Sequence, residues 1–214
     1  MIPIYNDLYQ FNSYVKPIDL TFNQYLLLSD EPTLIHTGDI NQVLNVIDNL
    51  KEILKEKSLS YIFVSHFEAD ECGGLSLLLK EYPEAIVVCN DVCTRQIRGF
   101  GIEANILTKR DGESLITNAS EFEFIAYPSE IHLWDGLFAY EKRRKIFFSS
   151  DTMISFGQYN NYVERNSWET LVEGITINQI PDPTKLESVK TSLRKFDVDF
   201  VGSGHGMAYL TKEN

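Results

Sequence analysis

The sequence is poor in basic residues. Nineteen Lys and Arg stand against 31 Asp and Glu in 214 residues, a formal charge of −12, and a surface of that sign repels phosphate backbones and anionic lipid head groups. Nucleic acid and membrane surfaces are therefore excluded as first-choice partners. No apolar run approaches the ~18 residues of a membrane-spanning helix. The opening residues, 1–7, contain neither a basic stretch nor a long apolar one, so no secretion signal is read. Cysteine is scarce too: Cys72, Cys89 and Cys93 are an odd set without a signal, which fits reduced thiols in a cytoplasmic setting better than a disulfide framework. The CxxxC spacing of Cys89 and Cys93 matches no zinc-knuckle or rubredoxin pattern. Neither a repeat nor a linker is present. What remains, 43% hydrophobic and 12% aromatic residues, predicts a single domain over residues 1–214 with one well-buried core.

The patterning is that of an α/β protein. Tyr25–Leu28 and Thr33–His36, separated by Ser29-Asp30-Glu31-Pro32, read as a hairpin. Between Ile40 and Lys57, Val43, Leu44, Val46, Ile47, Leu50, Ile53 and Leu54 recur at helical spacing. Tyr61–Val64 is a continuous apolar run of the kind found in strands buried on both faces. A helix from Leu75 and a strand over Ala85–Cys89 repeat the alternation, and a short helix spans Asp91–Arg98. Strand-like runs then follow at Asn105–Thr108, Leu115–Thr117, Phe122–Tyr127, Leu137–Tyr140 and Lys145–Phe148, with helices near Trp168–Ile175 and Thr184–Phe196 and a last strand at Phe200–Gly202. Sheets covered by helices, with ligands collected at loop ends, are the expected architecture.

Only four histidines occur, and three of them end strand-like segments beside acids or glycines: His66, His132 and His205. In His66-Phe67-Glu68-Ala69-Asp70 the polar side chains fall at every second position, so on an extended segment all three point one way. Asp151 follows the apolar run Lys145–Phe148, which delivers it to the rim of a sheet. Together His66, Glu68, Asp70, His132, Asp151 and His205 offer three imidazoles and three carboxylates, a set suited to two divalent metals sharing a carboxylate. Without cysteine, this donor set favours iron, manganese or zinc.

These segments resemble the metallo-β-lactamase superfamily, whose hydrolytic members carry HxHxDH. The HxExD form of His66-Phe67-Glu68-Ala69-Asp70 resembles the flavodiiron proteins, the oxygen and nitric oxide reductases of this fold. Further likeness lies in Asp19–Leu26 at the entry hairpin, Ile131–Tyr140, Phe147–Asp151 with Phe156-Gly157, and Gly204-His205-Gly206. The resemblance implies an αββα sandwich of two mixed sheets flanked by helices. It also implies a two-iron centre, with His66, Glu68 and His132 on one iron, Asp70 and His205 on the other, and Asp151 bridging. Zinc or manganese are the other metals it accommodates.

Several positions depart from the family pattern. Glu71 stands where a histidine is usual, a position that is an inconsistent ligand in the family, so weak iron binding, a hydrogen bond behind the ligands and an outward orientation are all open. His36 replaces an aspartate behind the site and is expected to hydrogen-bond a ligand loop. Trp134 replaces a proline and is expected to reshape the pocket wall, where Phe67 and Phe156 would complete an apolar lining. The chain is too short for the family's flavodoxin domain and has no phosphate loop, so no flavin is expected within it. Dioxygen or nitric oxide is the implied ligand, with a separate electron-donor or signalling protein as partner. A reductase and an oxygen sensor are both open, and so is a homodimer. The alternatives are a dinuclear hydrolase acting on esters, lactones or thioesters, which Glu68 in place of a histidine disfavours, and a scaffold that only binds partners.

Overall fold

Central strands buried on both faces and helices buried along one face build four layers. In the computed structural model, which describes residues 3–129 and 135–212, the first sheet runs in the order β1 (Leu8–Val15), β2 (Leu20–Leu27), β3 (Thr33–Ile35), β4 (Tyr61–Phe63), β5 (Ile86–Cys89) and β6 (Asn105–Thr108). Its first three strands are antiparallel and the rest parallel. The second sheet comprises β7 (Ser114–Ile116), β8 (Glu121–Tyr127), β9 (Gly136–Glu141), β10 (Ile146–Ser150), β11 (Val163–Arg165), β12 (Phe200–Ser203) and β13 (Ala208–Leu210), ordered β11-β13-β12-β10-β9-β8-β7. It is mixed as well, with β10 and β12 parallel.

Alternate residues of one strand enter different cores. Tyr25 and Leu27 of β2 and Ile146 and Phe148 of β10 meet between the sheets. Leu26 faces α1 (Gln42–Leu54), α3 (Leu75–Glu81) and α4 (Asp91–Gly99). Phe147 faces the opposite way, toward α5 (Trp168–Glu173) and α6 (Pro183–Leu193), edge-on to Trp168 at 4.9 Å. The αββα sandwich with mixed sheets is thus present.

Helix α1 buries Val43, Val46, Ile47, Leu50 and Leu54, and Asp39 caps its start by accepting from the Asn41 and Gln42 amides at 2.7 and 2.8 Å. Leu44, read as part of that stripe, is exposed because it lies off it. Gly74 lets α3 approach α1: a Cβ there would stand 2.4 Å from Val43 Cβ. The three cysteines are free and buried, and no helix among the described residues is long and apolar enough to cross a membrane.

Strands β3, β4, β10 and β12 end at one rim of the sandwich, with His36, His66, Asp151 and His205 in the loops that follow them. Ligand sites of open α/β sheets collect at such carboxyl ends. The sheets are tied together elsewhere by Arg144, which donates to both oxygens of Asp7 at 2.7 Å and lies 3.4 Å from the fully buried Glu141 carboxylate. Arg144→Ala strips a buried charge of its partner and is expected to destabilise the protein by about 3 kcal/mol, measured by guanidinium unfolding.

Candidate metal centre

The segment after β4 bends through Ser65–Glu68 and then enters the one-turn helix α2 (Ala69–Cys72). The expected extended spacing therefore holds only to Glu68. Beyond it the helical period takes over, and the adjacent Asp70 and Glu71 both reach the site. The Glu71 carbonyl accepts from the Thr37 amide at 2.9 Å, which anchors α2 to the loop after β3. Asp151 directly follows Ser150, a non-glycine residue held at φ +46°. His205 sits in a turn clamped by β2. Asn23 donates its amide nitrogen to the carbonyls of Ser203 and Gly206 at 3.0 Å, Tyr25 donates to Ser203 at 2.8 Å, and Phe22 meets the imidazole edge-on at 4.8 Å.

These elements bring five of the six sequence-read ligands together. His66 Nε2 lies 3.2 Å from Glu68 Oε1 and 3.3 Å from Asp151 Oδ2. His205 Nε2 lies 3.4 Å from Asp70 Oδ2 and 3.3 Å from Asp151 Oδ1. Asp151 thus turns one oxygen to each imidazole. The sixth, His132, lies outside the described residues, as does Trp134. Glu71 is buried beside the other acids, 3.9 Å from His66 Nε2. Phe67 turns away from the rim to stack on Phe100 at 5.2 Å, so it is no part of the pocket wall.

Electrostatically the cluster is unfinished. Burial works to raise the Asp151 carboxyl, but the imidazoles of His205 and His66, each 3.3 Å away, outweigh it and hold the group far below the usual carboxylate range. Burial would lower His205, yet Asp151 and Asp70 raise it. Burial raises Asp70 and raises Glu71 strongly, the latter helped by Asp151. Among the described residues His66 Nε2, Glu68 Oε1, Glu71 Oε2 and Asp151 Oδ1 have no hydrogen-bond partner although all are buried. Buried polar atoms that converge without bonding one another are costly unless a cation joins them. Four carboxylates around two imidazoles fit divalent metals. Two triads have ligand atoms within 4.8 Å of one another: His66, Glu71 and Asp151, and Asp70, Glu71 and His205.

A family profile described as "ODP family beta lactamase" matches residues 20–206. The chain belongs to that family. The anaerobic nitric oxide reductase flavorubredoxin of Salmonella arizonae is 25% identical over 202 residues, covering 88% of this chain and 41% of that protein. Among solved structures, a metal-soaked Flv1 flavodiiron core from Synechocystis sp. PCC6803 superposes with a TM-score of 0.81 over 98% of this chain and 56% of its own, at 18% identity. Rubredoxin oxygen:oxidoreductase from Desulfovibrio gigas gives 0.79 over 98% and 57%, at 16%. This ODP-family chain spans less than half the length of the flavorubredoxin. The relatives and the shared sandwich agree with the flavodiiron resemblance read from the motifs.

Behind His66 the ODP-family chain builds a buried hydroxyl network, of which the sequence reading anticipated only the bond from His36 to the ligand loop. Ser65 Oγ lies 2.9 Å from His36 Nε2, 3.0 Å from His66 Nδ1 and 2.8 Å from Ser150 Oγ. Tyr127 donates to Ser150 at 2.9 Å. Burial lowers His36 to about 3, so its ring is neutral at pH 7 and Nε2 accepts the Ser65 hydroxyl. That hydroxyl oxygen can in turn accept from His66 Nδ1–H, which with a metal bound would fix Nε2 as the ligand atom facing the acids. Beyond His36, the only sequence signal was position: Ser65 immediately precedes His66, and Ser150 immediately precedes Asp151.

Ser65→Ala leaves two buried ring nitrogens without this partner. It is expected to destabilise the fold by about 2 kcal/mol and to weaken metal binding about 10- to 100-fold, read by chelator competition.

Proposed function

We propose that the chain is a non-haem diiron protein that binds or reduces dioxygen or nitric oxide. The observation that carries this is Asp151, whose two oxygens address the two imidazoles across a cluster of orphaned buried ligand atoms. Two sites sharing one carboxylate follow: His66 and Glu68 on one side, with His132 assigned there by the family resemblance, and Asp70 with His205 on the other. Held by these residues, a pair of ferrous ions would supply electrons for the reduction of a diatomic gas. Support also comes from the relatives, whose names describe a nitric oxide reductase and an oxygen oxidoreductase.

The protein's own part is positioning and exclusion. Leu20, Phe22, Ile154 and Phe156 line a cavity of about 420 Å³ that opens onto Glu68, Asp70, Asp151 and His205. Its apolar collar and acidic floor disfavour an anionic substrate and admit a small neutral gas. Three carboxylates, Glu68, Asp70 and Asp151, make a hard, anionic donor set that suits iron changing charge more than a zinc hydroxide. The reductant is a separate protein under the reductase form, and a signalling partner replaces it under the sensor form.

The test is metal content of protein grown with iron, followed by anaerobic optical and Mössbauer titration of the reduced form with dioxygen and with nitric oxide. Two irons responding together are expected, and the lifetime of the product separates reductase from sensor. Two zincs, no response to either gas and turnover of an ester or lactone would replace the reading with hydrolysis.

A further inference from the structure

We infer that Gln179 selects the ligand of the cavity: its side-chain amide donates a hydrogen bond to a small ligand that carries or takes up negative charge. The inference rests on the two-metal reading above and adds to it a specificity-determining contact that no metal-binding residue makes.

Gln179 belongs to the loop between α5 and α6, which is pinned at two points. Ile175 and Ile180 are fully buried in the core beneath those helices, and the Thr176 carbonyl accepts from the Gln179 and Ile180 amides at 3.1 and 3.0 Å. The turn so formed leaves Ile177 and Asn178 exposed and Gln179 half-buried. Gln179 lines the cavity of about 420 Å³ that opens onto Glu68, Asp70, Asp151 and His205, and also a smaller hollow bordered by His66, Tyr127 and Asp151. Asp151 is the one other residue common to both. A rigid loop therefore holds Gln179 over the carboxylate that addresses both imidazoles.

The orientation of the amide is set by its partners. The Thr176 backbone nitrogen and hydroxyl stand 2.9 and 2.8 Å from one atom of Gln179, Oε1. A backbone N–H can only donate, so the atom it meets is the carbonyl oxygen, and the amide is not free to turn over. With Oε1 occupied twice, Nε2 is left with two N–H groups and no acceptor among the described residues. Asn178 is no equivalent, since nothing holds its exposed side chain.

The collar around this donor is apolar, formed by Leu20, Phe22, Ile154 and Phe156. Two divalent cations outweigh the charges of Glu68, Asp70 and Asp151, so a ligand that gains electrons meets a positive floor and one oriented donor. A hydrogen bond to a charged acceptor is roughly twice as strong as one to a neutral acceptor. The contact therefore favours a ligand in proportion to the charge it takes up.

The experiment uses azide, a small linear anion, on Co2+-loaded wild type, Gln179→Leu and Gln179→Asn. Azide affinity is read from the visible d–d bands, and the hydrogen bond from the infrared stretch of bound azide in H2O and D2O. Leucine keeps the bulk and removes the donor. Asparagine keeps the amide but is too short to hold Thr176 and reach the ligand together. Thermal melting shows that each variant is folded.

Each form is expected to bind two equivalents of Co2+. Both variants should bind azide about 10- to 100-fold more weakly, and the stretch, sensitive to D2O in wild type, should move and lose that sensitivity.

Wild-type azide affinity in both variants, weaker binding with an unmoved stretch, or loss of Co2+ from the variants would overturn the donor role and leave the two-metal reading standing. So would a wild type that holds Co2+ and takes up no azide. A wild type that binds no Co2+ would overturn both.

Discussion

Asp151→Ala is expected to empty the centre of both metals. Its carboxylate is the group that addresses both imidazoles, at 3.3 Å each, so its loss removes one ligand from each half at once. It also removes the negative charge that holds His66 and His205 in place. The isosteric Asp151→Asn should behave alike, because the amide keeps the shape and loses the anion. Iron determination after anaerobic reconstitution and desalting checks this, with two irons per chain expected in wild type and a trace in either variant. Retention of both irons in Asp151→Asn would show that charge at this position does not hold the pair.

The second large effect is expected at the His205 turn. Gly206 sits at φ +76°, and a Cβ there would stand 2.1 Å from the Ser155 carbonyl oxygen, so Gly206→Ala adds a backbone clash to a left-handed conformation. Gly112 is the internal control, with φ +73° and nothing within 4 Å of its Cβ position. Gly112→Ala should lose about 1 kcal/mol from backbone conformation alone. Gly206→Ala should lose about 3 kcal/mol or more and should also lose metal, since the turn presents His205. Urea unfolding of the two variants separates the terms. Equal losses would mean that Ser155 yields without disturbing the turn.

Much of this molecule was legible before any coordinates. Tyr61–Val64, Ala85–Cys89 and Ile146–Phe148 are continuous apolar runs, which buried strands produce because both faces meet a core. Strand β1 escaped because Gln10, Asn12 and Ser13 break its alternation; it is held by eight paired residues with β2, a tertiary cause no local pattern shows. Strand β11, Val163-Glu164-Arg165, has one apolar residue in three and is held by its pairing with β13, so no local pattern marks it. The site divides in the same way. His66, Glu68, Asp70, Asp151 and His205 stand out as polar groups at strand ends. The inward aim of Glu71 did not, because an alternating segment would send residues 70 and 71 to opposite sides, and only the helix beginning at Ala69 brings them to the same one. The pairing of Ser65 with His36 and Ser150 spans 29 and 85 residues of chain, and spacing arguments do not reach that far.

The turn carrying His205 is clamped by β2, from the opposite sheet and near the other end of the sequence. During synthesis, the segment with His66 emerges early, and its acids remain without His205 until β12 and the turn beyond it have left the ribosome. A centre that includes His205 would therefore be complete only late in maturation, and an unfinished chain offers only part of the set of donors.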